Sequence, residues 1–208
     1  MILELTLKMN IFQYGQMEID YLKKRDKILG KAIDEIGIIK REVIPDLFTA
    51  LIWNIIGQQI SSKAASTIWN RMQEHFIEIT PDTIVKATRE EIQQCGISAR
   101  KADYIKGVAQ AVVQGNLNLS ELHTLPDNKV IKRLTSLKGV GVWTAEMMLI
   151  FSMERPDVVS WGDLGIRRGM MKLYGLEDLT REQFEEYRKR YSPYGSVASL
   201  YLWAISSK

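Results

Sequence analysis

Apolar residues recur at helical spacing along almost the whole chain, and this pattern constrains the fold more than any other feature of the sequence. Between residues 19 and 36 the apolar positions lie three, four or seven residues apart, and Gly37 follows as a helix-ending residue. The segments Thr88–Glu91 and Thr180–Gln183 carry the Thr-x-x-Glu/Gln pattern of a capping box, which marks the start of a helix. The sequence therefore predicts an all-α fold of about ten short helices.

Several of these helices can be bounded by the Ser, Thr, Pro and Gly residues at their ends. They are predicted over Leu47–Ile56, Pro126–Leu134, Val142–Met153, Leu164–Tyr174 and Ser196–Ile205. Two segments instead resemble short strands. Leu3, Leu5 and Leu7 alternate with polar residues, and Val158-Val159 is a β-branched pair.

The composition excludes several classes of protein. A chain of 208 residues can bury the core of one compact domain or of two closely packed halves. The single Cys95 excludes a disulfide framework and a four-cysteine iron–sulfur cluster, and the separated His75 and His123 argue against a histidine metal site. No apolar run has membrane-spanning length and the first residues lack a basic signal region, so we expect a cytoplasmic protein with no membrane partner.

The charged residues are distributed unevenly, although the net charge is only +3. The stretches 47–73 and 128–145 contain no acidic residue, and acidic residues are concentrated elsewhere in the chain. The second stretch contains four basic residues, Lys129, Lys132, Arg133 and Lys138. This segregation indicates a face that meets a polyanion, although solvated helix surfaces explain it equally well.

The most informative stretch is Leu137–Ala145, in which two glycines lie one residue apart between a basic helix and an apolar helix. Gly139 and Gly141 allow a phosphate to approach the backbone, and the N–H groups that begin the next helix suit an anion. Lys138 adds a positive charge beside the turn. A bare Gly-x-Gly is also typical of a tight turn without any ligand, but the basic flank favours a hairpin that grips phosphate.

Asp163 directly precedes the predicted helix Leu164–Tyr174. Its simplest role is that of an N-cap, because its carboxylate can accept hydrogen bonds from the first N–H groups of the helix. A catalytic carboxylate at the mouth of the same helix is the second interpretation, and spacing alone favours the cap.

These motifs together resemble the helix–hairpin–helix DNA glycosylase superfamily, and within it the 3-methyladenine DNA glycosylase II branch. The Leu-x-Gly-Val-Gly hairpin is followed by Thr-Ala and then by Asp163 before Leu-Gly-Ile-Arg-Arg-Gly. Three further stretches match in the same order: Ile56–Ala65, Gly96–Ala102 and Ser192–Trp203. The resemblance covers residues 46 to 205, and only the combination of motifs is specific.

The resemblance implies a single helix–hairpin–helix glycosylase module over residues 1–208, with two helical halves flanking an active-site cleft. The halves are expected at 45–160, which carries the hairpin at 137–144, and at 1–44 with 161–208. No large N-terminal β-domain is expected, because some forty residues leave no room for one.

The resemblance also assigns the residues of the active site. Asp163 is expected to be catalytic, and Trp143, Trp203 and Met147 to line the pocket for the damaged base. Core packing is the alternative for each of the three. Gln59 is expected to fill the gap left by the flipped base, and a glutamine facing water is its alternative.

The hairpin is expected to bind the DNA backbone. The resemblance assigns DNA contacts to Gly139, Gly141, Lys138 and Thr144. It also places a monovalent cation, sodium or potassium, at three backbone carbonyls of this region, those of Thr135, Leu137 and Val140. No other cofactor is expected.

Two departures from the superfamily pattern narrow the activity. Trp143 stands where the bifunctional glycosylase/lyases carry a lysine nucleophile, so the enzyme is expected to be monofunctional. With Cys95 alone, the cluster-bearing branches are excluded. The expected function is hydrolysis of the N-glycosidic bond of alkylated purines in double-stranded DNA by a monomer. An oxidised-base glycosylase and a non-catalytic DNA-binding protein are the alternatives.

Overall fold

A computed structural model describes residues 10–208, so the predicted alternation at Leu3, Leu5 and Leu7 lies outside the described residues. Twelve α-helices and one 3-10 helix form in the described part of the chain. They are α1 (Gln16–Arg25), α2 (Lys27–Ile36), α3 (Leu47–Gly57), α4 (Ser62–His75), α5 (Pro81–Lys86), α6 (Arg89–Gln94), α7 (Ala99–Val113), the 3-10 helix Ser120–Thr124, α8 (Asp127–Thr135), α9 (Val142–Phe151), α10 (Leu164–Tyr174), α11 (Arg181–Tyr191) and α12 (Gly195–Ser207).

The all-α class is confirmed. Between residues 10 and 208 the only extended pairing is an isolated antiparallel bridge between Ile11 and Glu42. Both predicted capping boxes are present, at the start of α6 and at the start of α11. None of the described helices is long and apolar enough to cross a membrane.

The prediction of one continuous helix between residues 19 and 36 is wrong, because Asp26 divides it into α1 and α2. The Asp26 carboxylate accepts hydrogen bonds from the N–H groups of Ile28 and Leu29, at 3.0 and 2.9 Å. The hydroxyl of Tyr174 donates to the other carboxylate oxygen at 2.6 Å. Asp26 is buried and its backbone is extended, so α1 ends there and α2 begins. The apolar spacing alone predicts that the helix continues through this position.

The prediction of a strand at Val158-Val159 is also wrong. This segment forms no strand, and the backbone groups of Val158 pair with serine side chains of α12. The Val158 N–H donates to Ser196 Oγ at 3.0 Å, and Ser199 Oγ donates to the Val158 carbonyl at 2.9 Å. Two serine hydroxyls thus satisfy the buried backbone that a sheet would otherwise satisfy.

The chain forms two compact units, and α9 begins in one and ends in the other. The first unit contains the described residues up to Val43 together with Leu149–Lys208, and the second unit spans Ile44–Met148. The chain therefore passes from the second unit to the first after Met148, whereas the resemblance predicts this boundary after residue 160.

Each unit has its own core. In the first unit α10 and α12 pack closely, because Gly169 has no side chain at a point where an added Cβ would lie 2.0 Å from the Leu202 carbonyl oxygen. In the second unit α3 is almost wholly apolar and buries seven of its residues, and α7 contributes Ile105 and Val108 to the same unit. Each core holds the helices of its own unit that carry candidate site residues.

Candidate active site

Asp163 lies at the N-terminus of α10, where it caps the helix as its sequence position predicts. Its Oδ1 accepts a hydrogen bond from the Ile166 N–H at 2.9 Å. The same oxygen accepts a second hydrogen bond from Nε1 of Trp203, also at 2.9 Å. Asp163 is only 8% exposed. Two donors and a buried position therefore fix the orientation of this carboxylate.

The loop that leads to Asp163 is fastened to the start of α12. Asp157 accepts hydrogen bonds from the Gly195 N–H, at 3.1 Å, and from the Ser192 hydroxyl. An added Cβ on Gly195 would lie 2.7 Å from the Asp157 carboxylate, so the two chain segments approach as closely as glycine permits. Together with the serine contacts of Val158, these bonds place the loop against the helix that also carries Trp203.

Trp203 contacts both Asp163 and an aromatic neighbour. Its ring centroid lies 5.3 Å from that of Phe151, and the guanidinium of Arg41 lies 5.1 Å from the centre of the Phe151 ring. An added Cβ on Gly165 would lie 2.8 Å from the indole of Trp203, so glycine leaves the room that the indole occupies. The resemblance predicts that Trp203 lines the base pocket. The structure adds its hydrogen bond to the carboxylate and the supporting roles of Phe151 and Gly165.

The two glycines of the hairpin between α8 and α9 differ in their surroundings. Gly139 has a φ of 84°, and an added Cβ would lie 2.2 Å from the ring of Tyr104. Gly141 lies outside the positive-φ region, and apart from its chain neighbours no atom lies within 4 Å of the position of its missing Cβ. Gly139 is thus required by the fold of the turn, whereas Gly141 leaves open space at the start of α9.

The other predicted hairpin residues divide into exposed and buried ones. Lys138 is exposed, and Trp143, in the first turn of α9, is 37% exposed. Thr144 and Met147 are 2% and 4% exposed. Any contact of Thr144 with DNA would therefore come from its backbone N–H, and Met147 lies in the core of its unit.

The turn that follows α3 carries Gln59, the predicted wedge. Gln59 is exposed and has a φ of 57°, a conformation that is unfavourable for a residue other than glycine. The side-chain amide of its neighbour Gln58 donates to the Gly139 carbonyl at 2.8 Å and lies 3.4 Å from the Thr144 hydroxyl. Gln58 thereby ties the turn to the hairpin within the second unit.

Lys101, from the first turn of α7, fixes the same turn from another direction. Its Nζ donates to the carbonyls of Ile56 and Gln58, each at 2.7 Å. Burial, and secondarily the charge of Arg100, lower the pKa of Lys101 below its usual value. The sequence motifs contain both Gln58 and Lys101, but nothing in their local pattern indicates these contacts.

The predicted site residues belong to both units. Asp163 and Trp203 lie in the first unit, and Trp143, Met147 and Gln59 lie in the second. Their joint lining of one pocket stays a prediction from the resemblance. Over residues 10–208 no group of three or more His, Cys, Asp or Glu side chains is arranged to hold a metal ion.

The sequence is similar to base excision repair proteins over most of its length. Residues 52–193 match the family described as HhH-GPD superfamily base excision DNA repair protein. DNA-3-methyladenine glycosylase 1 of Schizosaccharomyces pombe is 34% identical over 189 residues, which cover 88% of this chain and 81% of that protein. A DNA-3-methyladenine glycosylase of Saccharomyces cerevisiae is 31% identical, with coverage of 79% and 68%.

Solved structures of similar proteins share the fold. The crystal structure of a DNA-3-methyladenine glycosidase from Bacillus halodurans has a TM-score of 0.84 and 35% identity, covering 96% of this chain and 94% of that one. The structure of an S. pombe 3-methyladenine DNA glycosylase in complex with abasic DNA has a TM-score of 0.83 and 32% identity, covering 93% and 98%. The chain therefore belongs to the HhH-GPD superfamily of base excision DNA repair proteins.

Proposed function

We propose that this protein is a monofunctional DNA glycosylase that removes alkylated purines of the 3-methyladenine and 7-methylguanine type from double-stranded DNA. The observation that carries the proposal is the Asp163 carboxylate, which is oriented by the Ile166 N–H and by Nε1 of Trp203. The names of the similar glycosylases support the substrate class.

The reaction is favoured by a carboxylate near the sugar. A base inside a duplex is inaccessible, so the nucleotide must be extruded before the reaction. The bond between C1′ and the base nitrogen then breaks, and its electron pair leaves with the base. Positive charge develops on the sugar, and the anionic Asp163 stabilises it. Water attacks C1′ and loses its proton, so the products are a free base and an intact abasic site.

Alkylation of a ring nitrogen makes the base cationic, and departure with the electron pair neutralises it. An aromatic pocket would bind such a base by stacking and by cation–π attraction, worth about 1–2 kcal/mol when desolvated. The partly exposed Trp143 and the half-buried Trp203 are the aromatic residues that we assign to this pocket.

The hairpin is proposed to hold a DNA phosphate. Gly141 leaves open space beside the N–H groups that begin α9, and Lys138 is exposed next to the turn. A helix N-terminus with free N–H groups favours an anion.

The carbonyls of Thr135, Leu137 and Val140 fit a monovalent cation in their donor chemistry, since carbonyl oxygens bind sodium and potassium in proteins. Thr135 ends α8, where helical carbonyls lack intrahelical partners. The Leu137 carbonyl accepts the Val140 N–H at 3.2 Å, which leaves its second lone pair for an ion. A cation bound there would offset the charge of the phosphate.

One assay tests the proposed activity directly. The protein is incubated with methylated duplex DNA and with an 8-oxoguanine duplex, and the released bases are identified. We expect 3-methyladenine and 7-methylguanine from the first duplex and no base from the second. Release of 8-oxoguanine alone would assign the protein to the oxidised-base glycosylases, and release of nothing would leave a DNA-binding protein without catalysis.

The monofunctional mechanism has its own test, which is borohydride trapping. Trp143 occupies the position at which the bifunctional glycosylase/lyases carry their lysine nucleophile. Base release should therefore leave the DNA strand uncut, and no covalent adduct should form. A trapped adduct would contradict this and would require another amine, such as that of Lys138 or Lys63. Action as a monomer and a cytoplasmic location stay predictions from the sequence.

A further inference from the structure

The turn after α3 is held by a lysine at a helix end. The last carbonyls of a helix have no intrahelical donor, and a lysine from another helix can satisfy them. Nζ of Lys101 lies 2.7 Å from the carbonyl oxygens of both Ile56 and Gln58, one inside α3 and one at its C-cap. A compact ammonium with three donors can bond both oxygens at once, which a planar guanidinium does less readily.

Gln58 adds a second tie. Its amide donates to the Gly139 carbonyl, so the turn is bonded to α7 through its backbone and to the hairpin through a side chain. Gln59 follows immediately, exposed and with a positive φ. A strained conformation of this kind persists only where the surroundings impose it. The contacts of Lys101 and Gln58 supply such surroundings, beside the backbone bonds of the Gln58 and Ile60 N–H groups to the Ile55 and Gly57 carbonyls.

We infer that Lys101 is a positioning residue that holds the turn at residues 58–60 so that Gln59 is presented to DNA in advance of binding. This inference rests on the proposed function, in which Gln59 fills the space of the flipped nucleotide. A wedge fixed beforehand loses less conformational entropy on insertion than a mobile one. Nζ of Lys101 itself donates to protein carbonyls.

The chain contains a matched control on the same helix. Lys106 of α7 also donates to two carbonyls at a helix end, those of Val85 and Ala87 at the end of α5. The chemistry of the two lysines is thus the same, but the end of α5 carries no residue that we assign to DNA. Loss of either lysine should have a comparable effect on folding, whereas only Lys101 should affect the wedge.

The experiment uses Lys101→Met, Lys106→Met, Gln59→Ala and the double variant Lys101→Met/Gln59→Ala. Each protein is added at saturation to a duplex with a tetrahydrofuran abasic analogue opposite 2-aminopurine, whose fluorescence reports its stacking. Single-turnover excision from methylated DNA is measured in parallel. We expect Lys101→Met to reduce both the fluorescence change and the excision rate about tenfold or more, because both charged hydrogen bonds to the turn are lost. Lys106→Met should resemble the wild type in both.

The double variant identifies the route of the effect. If Lys101 acts through Gln59, Lys101→Met should cause no further loss once Gln59 is alanine, because the two residues form one unit. The salt dependence of DNA binding should also be unchanged in Lys101→Met. Additive losses, or a salt slope reduced by about one counterion, would overturn the inference and show a direct phosphate contact.

The remaining outcomes separate this inference from the proposed function. If the wild type releases alkylated bases but Lys101→Met matches it, the positioning role is wrong and the glycosylase activity stands. If the wild type releases none, the proposed function fails first. Should Lys101→Met not fold, Lys101→Arg keeps the charge and the donors, but its planar guanidinium bonds both carbonyls less readily. A smaller loss of the same kind is then expected, and wild-type behaviour would contradict the inference.

Discussion

The starts of α9 and α10 are both proposed to meet DNA, yet they are built in opposite ways. The start of α10 is closed: Asp163 is buried, two donors fix its carboxylate, and Gly165 is packed against the indole of Trp203. The start of α9 is open: apart from its chain neighbours, no atom lies within 4 Å of the missing Cβ of Gly141. Protein side chains thus occupy the space at the start of α10, whereas the space at the start of α9 is open to a ligand.

The difference corresponds to two physical tasks. Stabilising a developing charge requires a group that is already oriented, because reorganisation during the reaction raises the barrier. Binding a phosphate requires exposed hydrogen-bond donors with no side chain in the way. A phosphate contact does not distinguish one DNA sequence from another. Substitutions at the closed start should therefore affect excision, and substitutions at the open start should affect binding.

The largest expected effect is that of Asp163→Asn. The amide oxygen still accepts the hydrogen bonds from Ile166 and Trp203, so the cap and the fold should survive. The negative charge is lost, and single-turnover excision should fall about a hundredfold or more. Binding to a duplex with an abasic analogue should stay near that of the wild type.

Asp157→Asn is the control for this change, since it removes a carboxylate from the same loop. Asp157 bonds the Gly195 N–H and the Ser192 hydroxyl, so its loss should lower the free energy of unfolding by about 1 kcal/mol. Excision should change little. Near-normal excision by Asp163→Asn would refute the catalytic assignment.

Within the hairpin, Gly139→Ala and Gly141→Ala should differ in which property they change. The Cβ at position 139 meets the Tyr104 ring and requires an unfavourable φ, so the free energy of unfolding should fall by about 2–3 kcal/mol. The Cβ at position 141 meets nothing, so stability should stay within about 0.5 kcal/mol.

DNA affinity supplies the second half of this comparison. Gly141→Ala places a methyl group where the phosphate is proposed to approach, so binding should weaken equally for every DNA sequence. Thermal unfolding and binding to two unrelated duplexes measure the two effects. Unchanged affinity in Gly141→Ala would mean that the open space is not used.

A smaller effect is expected for Trp203→Phe, which removes a donor but keeps a ring next to Phe151. The Asp163 carboxylate then loses its bond to Nε1 and keeps that to Ile166. We expect excision to fall about tenfold, the usual effect of one lost hydrogen bond to a charged group. Equal losses in Trp203→Phe and Trp203→Leu would indicate that stacking, and not the indole N–H, is what Trp203 contributes.

The local features of the fold could be predicted from the sequence because they depend on neighbouring residues. The bounds of α10 were predicted correctly, as were the capping boxes of α6 and α11. Asp26 was missed as a helix break although Asp is a preferred N-cap residue, because the apolar spacing continues across it. Its burial and its bond to Tyr174, 148 residues away, are the features that the sequence does not reveal.

The same distinction applies to the site. The position of Asp163 could be predicted because a cap and a motif are both local. Its bond to Trp203 spans 40 residues, and the bonds of Lys101 to the turn span 43 and 45. Such contacts depend on how helices pack, and no spacing pattern in the sequence encodes them. The two hairpin glycines also look alike in the sequence, and only the Tyr104 ring distinguishes them.

The smallest expected effect belongs to Lys138→Ala, which tests the open start of α9 by charge alone. Lys138 is exposed beside the hairpin, so the folded structure should survive its truncation. If the lysine contacts a phosphate, its removal eliminates the release of one counterion on binding. The slope of log affinity against log salt should then become shallower by about one, with a modest loss of affinity for all sequences. Lys86, at the end of α5, offers a matched lysine outside the hairpin, and Lys86→Ala should leave the slope unchanged. Measuring the DNA binding of both variants across a salt series distinguishes a phosphate contact from a purely structural hairpin. If the hairpin is only structural, both variants should keep the wild-type slope.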